Sequence, residues 1–191
     1  MIITGVVGSI AIVVMATLSH IQRYHKSPKF LLPILWAPYL LRRRVHLHPA
    51  HYVLFTTALL FHETGAFGFY QNSPFPFSFD IAVHFYFGMV GTIMIQRALR
   101  YYLPSHAFVA TCFFALMLVM GTGALHEIME YFSYLLFGEK GGMLQPSTSY
   151  NWDTARDLTN NLFGSITGLL LLTLYKFIAP PPTTTTPTPY R

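Results

Sequence analysis

Asp153, Asp157 and Asn161 recur at four-residue steps, so a helix through them carries two carboxylates and an amide on one stripe. The same step separates Asp80 from His84, and His126 from Glu130, with Glu127 beside His126. Oxygen donors mixed with imidazoles suit a divalent metal such as Zn2+, Mn2+ or Mg2+. A metal so held lowers the pKa of a bound water, and a spare carboxylate can act as general base. Without a metal, the same groups make an acid–base pair or a proton relay. The expected ligands are Asp80, His84, His126 and Glu130, with Glu127, Asp153 and Asp157 as acid/base groups. His62, Glu63 and Asn161 complete the expected polar site.

Each motif also has a plainer explanation. Asp80, at the start of a helix, can cap backbone N–H groups and complement the dipole, leaving His84 to bond a neighbouring helix. The His126-Glu127-x2-Glu130 segment is a polar helix end suited to the headgroup region, and its Glu130 departs from the zinc-protease pattern H-E-x-x-H. Capping accounts for Asp153 or Asp157 but not for Asn161, which lies inside an apolar run. Gly164 and Gly168 follow it and permit close helix approach.

The elements that carry these residues are hydrophobic. The chain of 191 residues is 53% hydrophobic and 10% charged, against about a quarter charged in soluble domains, which points to a polytopic membrane protein. Apolar stretches long enough to span are 2–19, 51–70, 80–96 (extending through Arg97 and Ala98), 106–125 and 157–178. The fourth helix is expected to continue through Glu130 to Phe137. Between the first two, Phe30 to Leu41 is short, contains Pro33 and Pro38, and is flanked by Lys29 and Arg42 to Arg44. It reads as a Pro-broken interfacial segment. The architecture is therefore all-α: one domain of five spanning helices over 1–179, followed by a Pro/Thr-rich tail over 180–191 that cannot build a core. A Gly/Ser/Pro-rich loop over 138–152 is a candidate lid.

Basic residues set the orientation. No lysine or arginine precedes the first apolar stretch, whereas Arg23, Lys26 and Lys29 follow it, the reverse of a cleavable signal peptide. With the N-terminus outside and five crossings, Arg42 to Arg44, Arg97, Arg100 and Lys176 all fall on the cytoplasmic side, as does the C-terminus. Lys140 and Arg156 remain outside. All seven acidic residues, which played no part in that assignment, then fall in the outer halves or outer loops. The net charge of +5 reflects this membrane asymmetry, not nucleic-acid binding. A single cysteine, Cys112, excludes an intrachain disulfide.

The succession FDIAVHFYFG, HEIMEYFSYLLFG and NWDTARDLTNNLFGS resembles the bacterial inner-membrane proteins of the YjdF type. The matching positions are Asp80, His84 and Phe85, then Glu127, Glu130 and Tyr131, then Trp152, Asp153, Thr154 and Asp157. Asp157, Asn161, Gly164 and Gly168 also meet a VanZ-like pattern. The resemblance covers roughly 50–175 and implies a multi-helix protein of the bacterial inner membrane, with a hint of envelope chemistry and no assigned mechanism.

The leading expectation is an outward-facing, metal-dependent site acting on a lipid or lipid-linked headgroup, with membrane lipids as its partners. The alternatives are a small-solute or proton-coupled transporter or binder, and a non-enzymatic assembly subunit whose polar helix ends hold the bundle together. The cytoplasmic halves of the fourth and fifth spans offer few polar groups, which argues mildly against transport.

Overall fold

A computed structural model describes residues 2–21, 31–70, 72–141 and 152–178. Among them the only regular secondary structure is helical: α1 (Ile2–Ile21), α2 (Leu31–Leu40), α3 (Arg42–Val45), α4 (Pro49–Thr64), α5 (Phe79–Tyr102), α6 (Phe108–Gly141) and α7 (Asp153–Ile178), with two short 3-10 turns. Most of the expected lid and the whole Pro/Thr-rich tail lie outside the described residues.

Three segments are long and apolar enough to cross a membrane: Phe79–Tyr102, Phe108–Leu136 and Asp153–Ile178. These are the third, fourth and fifth of the expected spans. The first contributes a shorter apolar stretch, Ile2–Met15. The second is also shorter than expected, because α4 ends at Thr64. There Gly65–Phe67 tightens into a 3-10 turn, and Gly68 takes a φ of 98°, a left-handed conformation that glycine adopts without a Cβ clash. At 16 residues, α4 is about 24 Å long, short of a hydrocarbon core of about 30 Å.

Pro33 and Pro38 do not break the segment that contains them, since α2 runs through both. Pro33 sits in the first turn, where its missing N–H costs nothing. α2 buries Leu35 and Tyr39 in one cluster with Ile12 of α1 and Tyr52 and Leu59 of α4. Two hydrogen bonds pin this half of the molecule: Trp36 Nε1 donates to Ser9 Oγ at 2.9 Å, and Tyr39 Oη lies 3.1 Å from Thr56 Oγ1. At about 15 Å, α2 is too short to cross.

The other half is built on α5 and α7, which pack far more closely on each other than either does on α6. A Cβ at Gly164 would fall on the Phe85 carbonyl, and one at Gly88 on the Asn161 carbonyl. The two backbones therefore touch, the close approach that small residues allow between membrane helices. This contact sets the register between the start of α5, which carries Asp80 and His84, and the start of α7, which carries Asp153 and Asp157.

Charge is segregated along the long helices. Asp80 opens α5 and Arg100 closes it; Asp153 opens α7 and Lys176 closes it. Lys176 Nζ lies 4.5 Å and the Arg100 guanidinium 5.5 Å from the centroid of Phe108, at the start of α6. Tyr102 Oη donates to the Arg44 carbonyl, bringing the Arg42–Arg44 turn to the same end.

Candidate metal centre

The α5–α7 contact brings Asp80, His84 and Asp157 together. One donor atom from each forms a set lying within 4.8 Å of one another, and no other group of three such residues does so among the described residues. His84 Nε2 is 3.5 Å from Asp80 Oδ1 and 3.8 Å from Asp157 Oδ2. Both aspartates were expected to form part of the site. Asp80, the one most readily explained as a cap, instead directs its carboxyl at His84 and at Arg156.

Arg156 was not among the expected site residues, yet it organises all three aspartates. Its NH2 is 2.8 Å from Asp80 Oδ2 and 2.5 Å from Asp153 Oδ1, and its Nε is 3.4 Å from Asp157 Oδ1. The guanidinium thus takes one oxygen of Asp80 and one of Asp157, leaving Asp80 Oδ1 and Asp157 Oδ2 turned toward the imidazole. This is the arrangement of an outer partner that orients metal-binding carboxylates. The signal in the sequence was a lone arginine between acids on the acidic side of the molecule. Asp153 joins the site through Arg156, not through the imidazole.

The other expected residues surround this group without joining it. His126 and Glu130 pair with each other one turn apart, Nε2 to Oε1 at 3.3 Å. The His126 ring stands between those of His84, centroids 6.1 Å apart, and His62, 6.3 Å apart. His62 Nδ1 is 2.6 Å from Tyr70 Oη. Burial, and next to it the Asp80 carboxylate, push the Tyr70 phenol well above its usual value, so it stays protonated and donates to that nitrogen. Tyr70 is a second residue that the motif spacing did not reveal, since it reaches His62 across a turn.

Glu127 and Glu63 are 5% and 6% exposed, and each has an oxygen with no hydrogen-bond partner, Oε1 of Glu127 and Oε2 of Glu63. Thr154, His84 and His126 lie within electrostatic reach of the Glu127 carboxyl. A buried unpaired carboxylate oxygen is costly, and such groups cluster where chemistry uses them. Asn161 is buried where α5, α6 and α7 meet, its side-chain amide nitrogen against Gly123 and its backbone carbonyl against Gly88. That position makes it a packing residue of the three-helix junction, one turn below Asp157.

Neither a curated protein nor a solved structure matches the chain. A family model described as "Predicted membrane protein (DUF2238)" matches residues 2–177, and the chain belongs to that family of membrane proteins.

Proposed function

We propose that the protein binds a divalent cation at Asp80 Oδ1, His84 Nε2 and Asp157 Oδ2, and uses it on a lipid or lipid-linked headgroup at the non-cytoplasmic face of the bacterial inner membrane. The observation that carries this reading is the convergence of three donors from two helices, together with their charge. With His84 neutral, as a metal ligand must be, and the aspartates ionised, three carboxylates against one guanidinium leave two negative charges, the amount one divalent cation offsets. Uncompensated charge is expensive at this depth, which favours an occupant of that valence.

Bound there, the metal would supply a Lewis acid and a lowered water pKa. The chain's own contribution is positional. Arg156 and Asp153 hold the two ligand carboxylates, and Glu127, with one oxygen unpaired, accepts or returns a proton beside them. Asp80 and Arg100 are separated by about 30 Å of helix, the thickness of a hydrocarbon core, which supports headgroup depth for the acidic end. The excess of arginine and lysine at the other end supports a cytoplasmic assignment for that end. The YjdF-like and VanZ-like motifs support the bacterial envelope as the setting.

Elemental analysis of the detergent-purified protein tests the reading. Stoichiometric Zn, Mn or Mg is expected in the wild type and absent from Asp157→Ala. Metal-free protein that retains full function would end the metal reading.

A further inference from the structure

At the basic end of the bundle, three positive features meet at Phe108, the first residue of α6. The Lys176 ammonium, from the last turn of α7, lies 4.5 Å from the centre of the Phe108 ring. The Arg100 guanidinium, from the last turn of α5, lies 5.5 Å from the same point. Cys112, one turn further along α6, is within electrostatic reach of both cations, so the two stand on one side of that helix. The third feature is the N-terminus of α6 itself. Its first N–H groups carry the positive end of the helix dipole, and its first turn holds no acidic residue.

Among the described residues no carboxylate offsets this charge. The nearest acids along the three helices are Asp80 on α5, Glu127 on α6 and Asp157 on α7, each about 30 Å of helix away. Glu63 closes α4 at the acidic end, within electrostatic reach of Tyr70. The dipoles of α5 and α7 explain why a basic residue ends each of them. They do not explain why both cations lean onto the start of α6, where the dipole opposes them. A phenyl face attracts a cation, yet two cations sharing one ring repel each other. An anion seated between them and the first N–H groups of α6 removes the conflict. Phosphate is the anion that helix N-termini, arginine and lysine recognise alike.

The surroundings point to a lipid as the carrier of that phosphate. Val109, Phe113 and Met117 repeat at four-residue steps on the strip of α6 beside Phe108 and Cys112, and all three are exposed. An apolar strip thus runs from the cations toward the middle of the span, the complement of a charged headgroup with its acyl chains. Basic pockets between membrane helices hold anionic headgroups in this way. We infer that Arg100, Lys176 and the N-terminus of α6 bind the phosphate of an anionic phospholipid, whose acyl chains lie along Val109, Phe113 and Met117. A zwitterionic lipid is disfavoured there, because its ammonium meets the same two cations. The site stands at the opposite end of the helices from the proposed metal centre and does not depend on it.

Native mass spectrometry of the detergent-purified protein tests the inference, with an equimolar mixture of dioleoylphosphatidylglycerol and dioleoylphosphatidylcholine added in the presence of EDTA. The wild type should retain one phosphatidylglycerol per chain, with a several-fold preference over phosphatidylcholine. The double variant Arg100→Gln, Lys176→Gln should lose that preference. Arg43→Gln, which removes a charge from an exposed position of α3 at the same end, should keep it, as should Lys176→Arg. If the double variant elutes as aggregate, Lys176→Gln alone, at an exposed position, takes its place with the same expectation. An excess of inorganic phosphate should leave the bound phosphatidylglycerol in place. The proposal is overturned by equal retention of the two lipids, by a preference undiminished in the folded variant, or by an equal loss in Arg43→Gln. Displacement by inorganic phosphate overturns it too, since the site would then be one for the free ion.

Discussion

Arg156 reaches from α7 to Asp80 at the start of α5, NH2 to Oδ2 at 2.8 Å, and in doing so ties together residues far apart in the chain. One guanidinium both joins two helices and sets which oxygens face His84. Removing it should act on stability first. Breaking a buried pair costs about 3–5 kcal/mol, but the arginine side chain is 30% exposed, so solvent screening reduces the loss for Arg156→Gln to about 2 kcal/mol. Arg156→Lys should recover part of it, since an ammonium cannot fork between carboxylates. Thermal unfolding in detergent reads both; a melting temperature unchanged in Arg156→Gln would show that the cluster holds without it.

Asp157 and Asp153 should separate as ligand and supporter. Asp157→Ala removes a donor and should abolish divalent binding, whereas Asp153→Asn acts through Arg156 and should weaken it by about 10–100-fold. Titration calorimetry with Zn2+ or Mn2+ measures the difference. Equal losses would place both residues in the same shell. An assembly role predicts instead that each substitution lowers protein abundance.

The helix crossing offers a paired comparison. An added Cβ at Gly164 meets the Phe85 backbone, while one at Gly121 of α6 meets nothing within 4 Å. Gly121→Ala should gain up to about 1 kcal/mol from helix propensity. Gly164→Ala should lose stability and, because the register of the acidic site depends on this contact, lose metal binding as well. Parallel melting curves and metal titrations check it; a neutral Gly164→Ala would mean the two backbones do not touch.

Glu63 lies outside the three-donor group and has a buried oxygen with no partner. Replacing it with methionine, of similar length and apolar, should raise the melting temperature, because a desolvation penalty disappears and no bond is lost. A drop would indicate that Glu63 is held by an interaction the static geometry does not reveal, such as a bound water or cation.

The helices and the acid motifs were legible because both express the same four-residue step. Asp80 with His84, and Asp153 with Asp157, could be placed on common faces from spacing alone. Spacing does not say which helix faces that side. Arg156 is adjacent to Asp157 and so points about 100° from it around α7, yet its long side chain turns back to reach both neighbours and Asp80. His126 and Glu130 satisfied the same step and paired with each other instead of joining His84. Prolines in α2 read as breaks from sequence alone, whereas in the fold the burial of Leu35 and Tyr39 offsets their usual cost in a helix. Thr92 and Gln96 read in the sequence as isolated polar residues in an apolar run, and their burial shows only once α7 and α6 stand opposite them.

The backbone contact of Gly88 and Gly164 also has a mechanical side. Two helices touching main chain to main chain cannot slide or part without forfeiting the whole seam, so α5 and α7 behave as a single rigid plate carrying the Asp80, His84 and Asp157 side chains. α6, which carries Glu127 and His126, packs on this plate less closely than the two helices pack on each other, and Arg100 and Lys176 lie against its Phe108 ring. A substitution that reseats α6 therefore moves Glu127 and His126 relative to the three donors, while one in the α5–α7 seam displaces the donors themselves.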